Sequence, residues 1–221
     1  MSFLSGSIKS AVSGTKGFDT TARLDLNLAA KFKADGFEFC VRYLSRLSTA
    51  NQVKNGDLIR TEADAILDAG LGLMAAQHVR SGRWVPSPEL GTVYGKNAAN
   101  NAIFAGLPPG VNIWLDLESV KLGTPVKDVI TYCNNWFAQV AAVGYVPGIY
   151  IGFDPIVTGD QLFHSLTCEH YWKSPSKVPD VTVRGYQMLQ PEIDMKVHGI
   201  NIDVDTVQTD HLGGLPLCLA R

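Results

Sequence analysis

The chain has 221 residues, 46% hydrophobic and 18% charged, which suits a single folded domain of the larger sort and excludes a disordered chain. With 19 basic against 21 acidic side chains the net charge is -2, so there is no cationic field to hold a phosphate backbone and nucleic acid is not expected as a partner. No apolar run is long enough to span a bilayer, and the segment Met1 to Ser10 lacks the charged and apolar regions of a standard signal peptide.

Taken in chain order, short β-rich runs alternate with helix-like segments. Residues 1–13 read as a lead-in, and 14–221 as one barrel domain. The first strand, Thr15 to Thr20, precedes a helix over Arg23 to Asp35, with Leu24, Leu28 and Phe32 at helical spacing and Gly36 as its stop. A strand over Phe37 to Leu44 follows, then a helix over Thr61 to Ala69 with Thr61 as N-cap and Glu62 and Asp64 in its first turn. The third strand, Leu71 to Val79, leads to a helix over Glu89 to Ala105. The fourth, Val111 to Glu118, leads to a helix opened by Thr124-Pro125 and running to Val143. The fifth, Val146 to Gly152, is followed by a short helix over Pro155 to Ser165. Three more strands (Glu169 to Trp172, Gly185 to Leu189 and Ile200 to Val207) have little helix between them.

This pattern predicts an α/β fold: a single irregular TIM-type barrel of five strand–helix units and three closing strands. An open doubly wound sheet is the alternative, but no G-x-G-x-x-G or phosphate loop follows any strand. Cys40, Cys133, Cys168 and Cys218 are far apart, form no C-x-x-C pair and read as thiols; neither a metal nor a cofactor is expected.

In a parallel barrel, chemistry sits at the carboxyl ends of the strands. The residues expected on that rim are Asp19, Tyr43, Gln77, His78, Asp116, Glu118, Tyr150, Trp172, Gln187, Asp203 and Asp205. Asp116 and Glu118 are two apart on one strand and so point to the same side. Two carboxyls crowded together keep one protonated, which supplies the acid and the carboxylate that glycosidic cleavage needs. The aromatic rings suit stacking on sugars. Arg42 and Arg80 are candidates to pair with these carboxylates, and Trp84 and Trp136 read as packing residues.

Several short motifs carry a resemblance. Gly17-Phe18-Asp19-Thr20, Trp114-Leu115-Asp116-Leu117-Glu118, Pro147-Gly148-Ile149-Tyr150, Gly185-Tyr186-Gln187, and Gly199-Ile200 with Val204-Asp205 occur in an order and spacing similar to the glycoside-hydrolase-like domain family of unknown function. More distantly the chain resembles the family 25 lysozymes, which are N-acetylmuramidases. The resemblance implies a barrel of five strand–helix units and three final strands, with Glu118 as general acid, Asp116 assisting it or positioning an N-acetyl group, and Asp19 and Asp205 lining the site. The third strand's Gln77-His78-Val79-Arg80 and the sixth-strand Tyr171-Trp172-Lys173-Ser174 depart from the lysozyme pattern.

The function this implies is hydrolysis of a cell-wall glycan such as peptidoglycan, by carboxylate general acid catalysis. A non-catalytic glycan-binding barrel and a metal-dependent hydrolase, such as a phosphodiesterase using Asp116, Glu118, Asp205 and His78, are the competing readings. A wall-active protein made in the cytoplasm without a standard leader would act at the wall or in the periplasm after another route of export. Its expected partners besides the glycan are a delivery apparatus, a phage holin or an immunity protein.

Overall fold

Each apolar run bounded by turn residues becomes a strand, and the strands close on themselves. The computed structural model describes residues 2–80 and 82–221. Its strands are β1 (Ser7–Ser10), β2 (Lys16–Thr20), β3 (Phe37–Leu44), β4 (Gly72–Gln77), β5 (Asn112–Leu117), β6 (Val146–Ile151), β7 (His170–Lys173), β8 (Met188–Val197), β9 (Ile200–Val207) and β10 (Leu217–Ala220). Its helices are α1 (Leu26–Ala34), α2 (Thr49–Asn55), α3 (Arg60–Asp68), α4 (Pro88–Phe104), α5 (Val126–Ala141) and α6 (Gly159–His164).

Strands β2 to β9 form the predicted eight-stranded barrel, closed by pairing of β4 with β5. β2 through β8 run parallel, and β9 returns antiparallel between β8 and β2. The tight Val197-to-Ile200 connection explains the reversal, because a hairpin turn leaves no room for a parallel crossover. β10 pairs antiparallel with the start of β4, Leu219 opposite Leu73, and carries β1 on its other edge. The lead-in segment thus contributes a strand, and Ala11 and Cys218 join the residues that fill the barrel interior.

Side-chain parity divides the barrel into two apolar layers. Phe39, Val41, Met74, Ala76, Trp114, Trp172, Met188 and Val207 pack inside. Phe18, Cys40, Leu73, Ala75, Ile113, Leu115, Ile149 and Ile151 belong to the cluster that meets the helices, with Phe32, Ala98, Trp136 and Phe137. Gly148 faces the Trp114 ring so closely that a Cβ there would lie 2.4 Å from it, so the indole fills the volume its neighbour lacks. All four cysteines are buried free thiols.

Some element boundaries differ from expectation. α3 starts at Arg60 with Ile59 at the N-cap, which puts Thr61 inside the first turn. Pro125 caps α5 rather than opening it. α2 was not expected; its seven residues are too few to show a helical period. β8 begins at Met188 rather than Gly185 and extends to Val197, because Gly185 is left-handed (φ 75°) and cannot begin the extended run.

Candidate active site at the barrel mouth

β2, β3, β5, β6, β8 and β9 each send polar side chains to the mouth. Asp19 on β2 is the centre of a hydrogen-bonded chain. Tyr43 Oη donates to its Oδ1 at 2.8 Å, and Gln190 Nε2 donates to its Oδ2 at 2.7 Å. Tyr150 Oη donates to Gln190 Oε1 at 2.8 Å. Asp203, opposite Asp19 in the β2–β9 register, accepts from the Asp194 backbone N–H at 2.7 Å. A hollow of about 170 Å3 opens here, lined by Asp19, Tyr43, Asp194, Asn201 and Asp203 among others.

Asp116 and Glu118 leave β5 on the same side, as their spacing requires. The chain turns directly after them: Ser119 adopts a left-handed conformation (φ 55°), and its N–H donates to the Phe153 carbonyl at 2.8 Å. A non-glycine residue in that region is strained and needs its surroundings to hold it. Trp84 Nε1 donates to the Glu118 carbonyl at 2.9 Å, fixing the same backbone. The Glu118 side chain lies over Gly152, where a Cβ would come within 2.3 Å of both its Cβ and Oε2.

The electrostatics follow from crowding acids in a place with little water. Burial, and next the Asp203 carboxylate, push Asp19 up to about 7, although the hydrogen bonds from Tyr43 and Gln190 pull the other way. Burial, then Glu118 and Asp19, hold Asp116 well above the usual carboxylate range. Burial and Asp203 also raise Glu118, which stays partly exposed. Asp205 is raised strongly by burial, then by Asp19 and Asp203; the nearby Trp172 N–H counteracts without reaching hydrogen-bond geometry. Asp203 itself is raised by burial and by Asp194, while each of the other four is perturbed by another carboxyl at the mouth, so those groups titrate as one cluster and not singly.

Asp19, Asp116, Glu118, Asp203, Tyr43 and Tyr150 therefore come together as expected from the sequence. Asp205 lies one layer deeper, opposite Gly17, fully buried, with neither oxygen hydrogen-bonded. Three expectations for substrate contact need correction. Gln77 points outward: its amide donates to the Ser45 and Tyr94 carbonyls and accepts from Trp136 Nε1, tying β4 to α4 and α5. Gln187 is also outside the mouth, bonded to Tyr171, Glu169 and Asp210. Trp172 is 1% exposed and packs edge-on against Trp114 and Tyr150, so it offers no open face to a sugar.

His78 stands at the rim, stacked on Tyr43 at 4.5 Å and bonded to Asp57 at 2.8 Å. Arg42 pairs with Glu62 at 2.7 Å on the outer side of the barrel, not with the mouth carboxylates, while Arg80 forms no ion pair among the described residues. Trp84 and Trp136 are buried packing residues, as expected. Gln190 was missed; its place two residues beyond inward-facing Met188 was the available signal. Among the described residues, no group of three or more His, Cys, Asp or Glu side chains is arranged to hold a metal ion, and no helix is long and apolar enough to cross a membrane.

The same barrel occurs in solved structures. The Tat-secreted protein Rv2525c of Mycobacterium tuberculosis, in complex with L-tartrate, aligns at TM-score 0.67 and 17% identity, over 88% of this chain and 96% of that one. A bacterial lysozyme from Streptomyces coelicolor aligns at TM-score 0.57 and 16% identity, over 89% and 93%. A muramidase from Trichobolus zukalii aligns at TM-score 0.59 and 14% identity, over 87% and 93%. At such identities the likeness is one of fold. No curated protein matches the chain in sequence. A family model described as Rv2525c-like, glycoside hydrolase-like domain matches residues 30–207, a span that takes in Asp116, Glu118, Asp203 and Asp205 and starts after Asp19. On that match, which covers most of the barrel, the chain belongs to the family of Rv2525c-like, glycoside hydrolase-like domains.

Proposed function

We propose that the protein hydrolyses a glycosidic bond in a bacterial cell-wall glycan, with Glu118 as the general acid. One observation carries this reading: carboxyls from three strands gather at a single mouth, where Glu118, raised by burial and by Asp203, is partly exposed and leaves β5 on the same side as Asp116. A carboxyl whose hold on its proton is strengthened and that still reaches solvent can protonate a leaving oxygen. Asp116, next to it and itself held toward its protonated form, assists it or positions an N-acetyl group. Asp19, held by Tyr43 and Gln190, lines the hollow and, with the deeper Asp205, sets the charge of the cluster. Lysozyme and muramidase neighbours with the same barrel support the substrate class.

The test is release of reducing ends from purified walls. Wild type is expected to release them, and Glu118→Gln to lose at least about a hundredfold in rate, in line with the loss of a general acid. Equal rates would sink the assignment.

One observation favours a second reading, a glycan-binding barrel without turnover. The hollow at the mouth is lined by Asp19, Tyr43 and Asp203 and not by Asp116 or Glu118. Retention on walls with no reducing ends released would select that reading. In either case the site of action is the wall or periplasm after export, with a delivery apparatus, holin or immunity protein as the partners to seek.

A further inference from the structure

A second hollow opens beside the acidic mouth, between the turns that follow β3 and β4. It measures about 250 Å3 and is lined by Ser45, Arg46, Leu47, Asn55, His78 and Val79. Arg46 forms no ion pair among the described residues, and its Nε–H is buried without an acceptor. A buried guanidinium donor with no partner costs free energy that a bound oxyanion would return through a charge-assisted hydrogen bond.

The turn that presents Arg46 is firmly built. Ser45 N–H donates to Gln52 Oε1 at 3.0 Å, and the Ser45 carbonyl accepts from Gln77 at 3.1 Å and Asn101 at 2.8 Å. Asn97 donates to the Arg46 carbonyl at 2.7 Å, and Asn101 to the Leu47 carbonyl at 3.0 Å. Gln52, Gln77 and Asn101 are all buried. Beneath the turn, the guanidinium carbon sits 5.7 Å from the Tyr94 ring centre. Four side-chain amides thus hold a three-residue turn whose one guanidinium has its Nε–H buried without an acceptor.

His78 contributes the opposite wall. Its Nε2 is committed to Asp57 Oδ1, while its ring stacks on Tyr43, whose hydroxyl donates to Asp19. The stacked Tyr43–His78 pair therefore links this hollow, lined by His78, to the one at the mouth, lined by Tyr43 and Asp19.

We propose that the hollow is a subsite for a carboxylate carried by the glycan, received by the Arg46 guanidinium. The inference rests on the reading of the mouth as a wall-glycan site. Charge favours a carboxylate over a phosphate. Arg46 is the one guanidinium among the residues lining the hollow, the histidine already faces Asp57, and five acids crowd the mouth, so a second negative charge on the ligand would meet repulsion without a second partner in that lining.

The experiment measures binding by calorimetry, using peptide-free wall glycan oligomers with the lactyl carboxyl either free or converted to its amide. The proteins are Glu118→Gln, which binds without turnover, and the same protein carrying Arg46→Gln or Arg46→Lys. The free acid is expected to bind about tenfold tighter than the amide, the worth of one charge-assisted hydrogen bond. Arg46→Gln should bring acid and amide to equal affinity without weakening the amide, and Arg46→Lys should restore part of the preference. A matched thermal midpoint shows that Arg46→Gln is folded; if it is not, Arg46→Lys and the acid-to-amide ratio of the parent protein decide. Equal binding of acid and amide by the parent, no binding of either, equal weakening of both by Arg46→Gln, or displacement of the oligomer by inorganic phosphate but not by acetate would each overturn the proposal. Failure of wall hydrolysis with the acid preference intact would remove the enzyme assignment and leave this subsite standing.

Discussion

Replacing Asp19 with asparagine should make the fold less sensitive to rising pH. Asp19 is 2% exposed and its carboxyl is raised from 3.8 to about 7. Between those values the folded chain holds a proton that the unfolded chain has released. Stability from this group is therefore complete below about pH 4 and is lost as pH climbs toward 7, at about 1.4 kcal/mol per pH unit. Over three units the loss is about 4 kcal/mol, a large share of the 5–15 kcal/mol typical of a domain. Asparagine keeps the acceptor for Tyr43 and carries no charge, and an amide flip of Gln190 restores the second hydrogen bond. Urea unfolding of wild type and Asp19→Asn from pH 4.5 to 8 gives the difference between two stability curves, in which acids far from the site cancel. The variant should gain on wild type by about one proton's slope, and by somewhat more because Asp116 and Asp205 lose a charged neighbour. Parallel curves would show that Asp19 ionises at its ordinary pKa and that the mouth is wetter than its geometry indicates.

Two further substitutions probe the frame around the cluster. Gly152→Ala puts a methyl group 2.3 Å from Glu118 Cβ and Oε2, so the acid must move; wall-hydrolysis rate should fall about a hundredfold while urea unfolding registers about 1–3 kcal/mol, and full activity would show that Glu118 does not work from this position. Arg42→Met leaves Glu62 buried without its cation, and unfolding free energy should drop by about 3–5 kcal/mol; a loss under 1 kcal/mol would mean that Glu62 readily takes up a proton or water.

Most of the barrel was legible because its strands and helices differ in period and are punctuated by glycine. Gly36, Gly70 and Gly144 are all left-handed and stand just beyond α1, α3 and α5. What escaped was short or non-local. β1 and β10 are four residues each, and they pair across almost the full chain length, Ser7 with Ala220, so no local pattern announces them. The direction of β9 depends on the Val197-to-Ile200 turn, and the apolar alternation of a strand is the same in either direction.

Trp172 does face the interior and is lost to substrate by burial, whereas the errors at Gln77 and Gln187 share one cause that is legible in the sequence. Adjacent residues on a strand face opposite sides, so Gln77 and His78 cannot both enter a barrel. Leu73 and Ala75 belong to the outer cluster and Met74 and Ala76 to the inner one, which sends Gln77 to the helices and His78 to the rim. The same rule along the β8 segment turns Gln187 outward and Gln190 inward, once Met188 is known to face the interior. Parity also deepens the D-x-E reading. Asp116 and Glu118 continue the inward series begun by Trp114, so the strand that supplies the acid also supplies the indole beneath it, and Gly148 and Gly152 on β6 and just beyond it clear space for that indole and for Glu118. The acid's position is thus set by packing two layers deep. A change at Gly152 should therefore affect chemistry more than stability, whereas one at Gly148 should do the reverse.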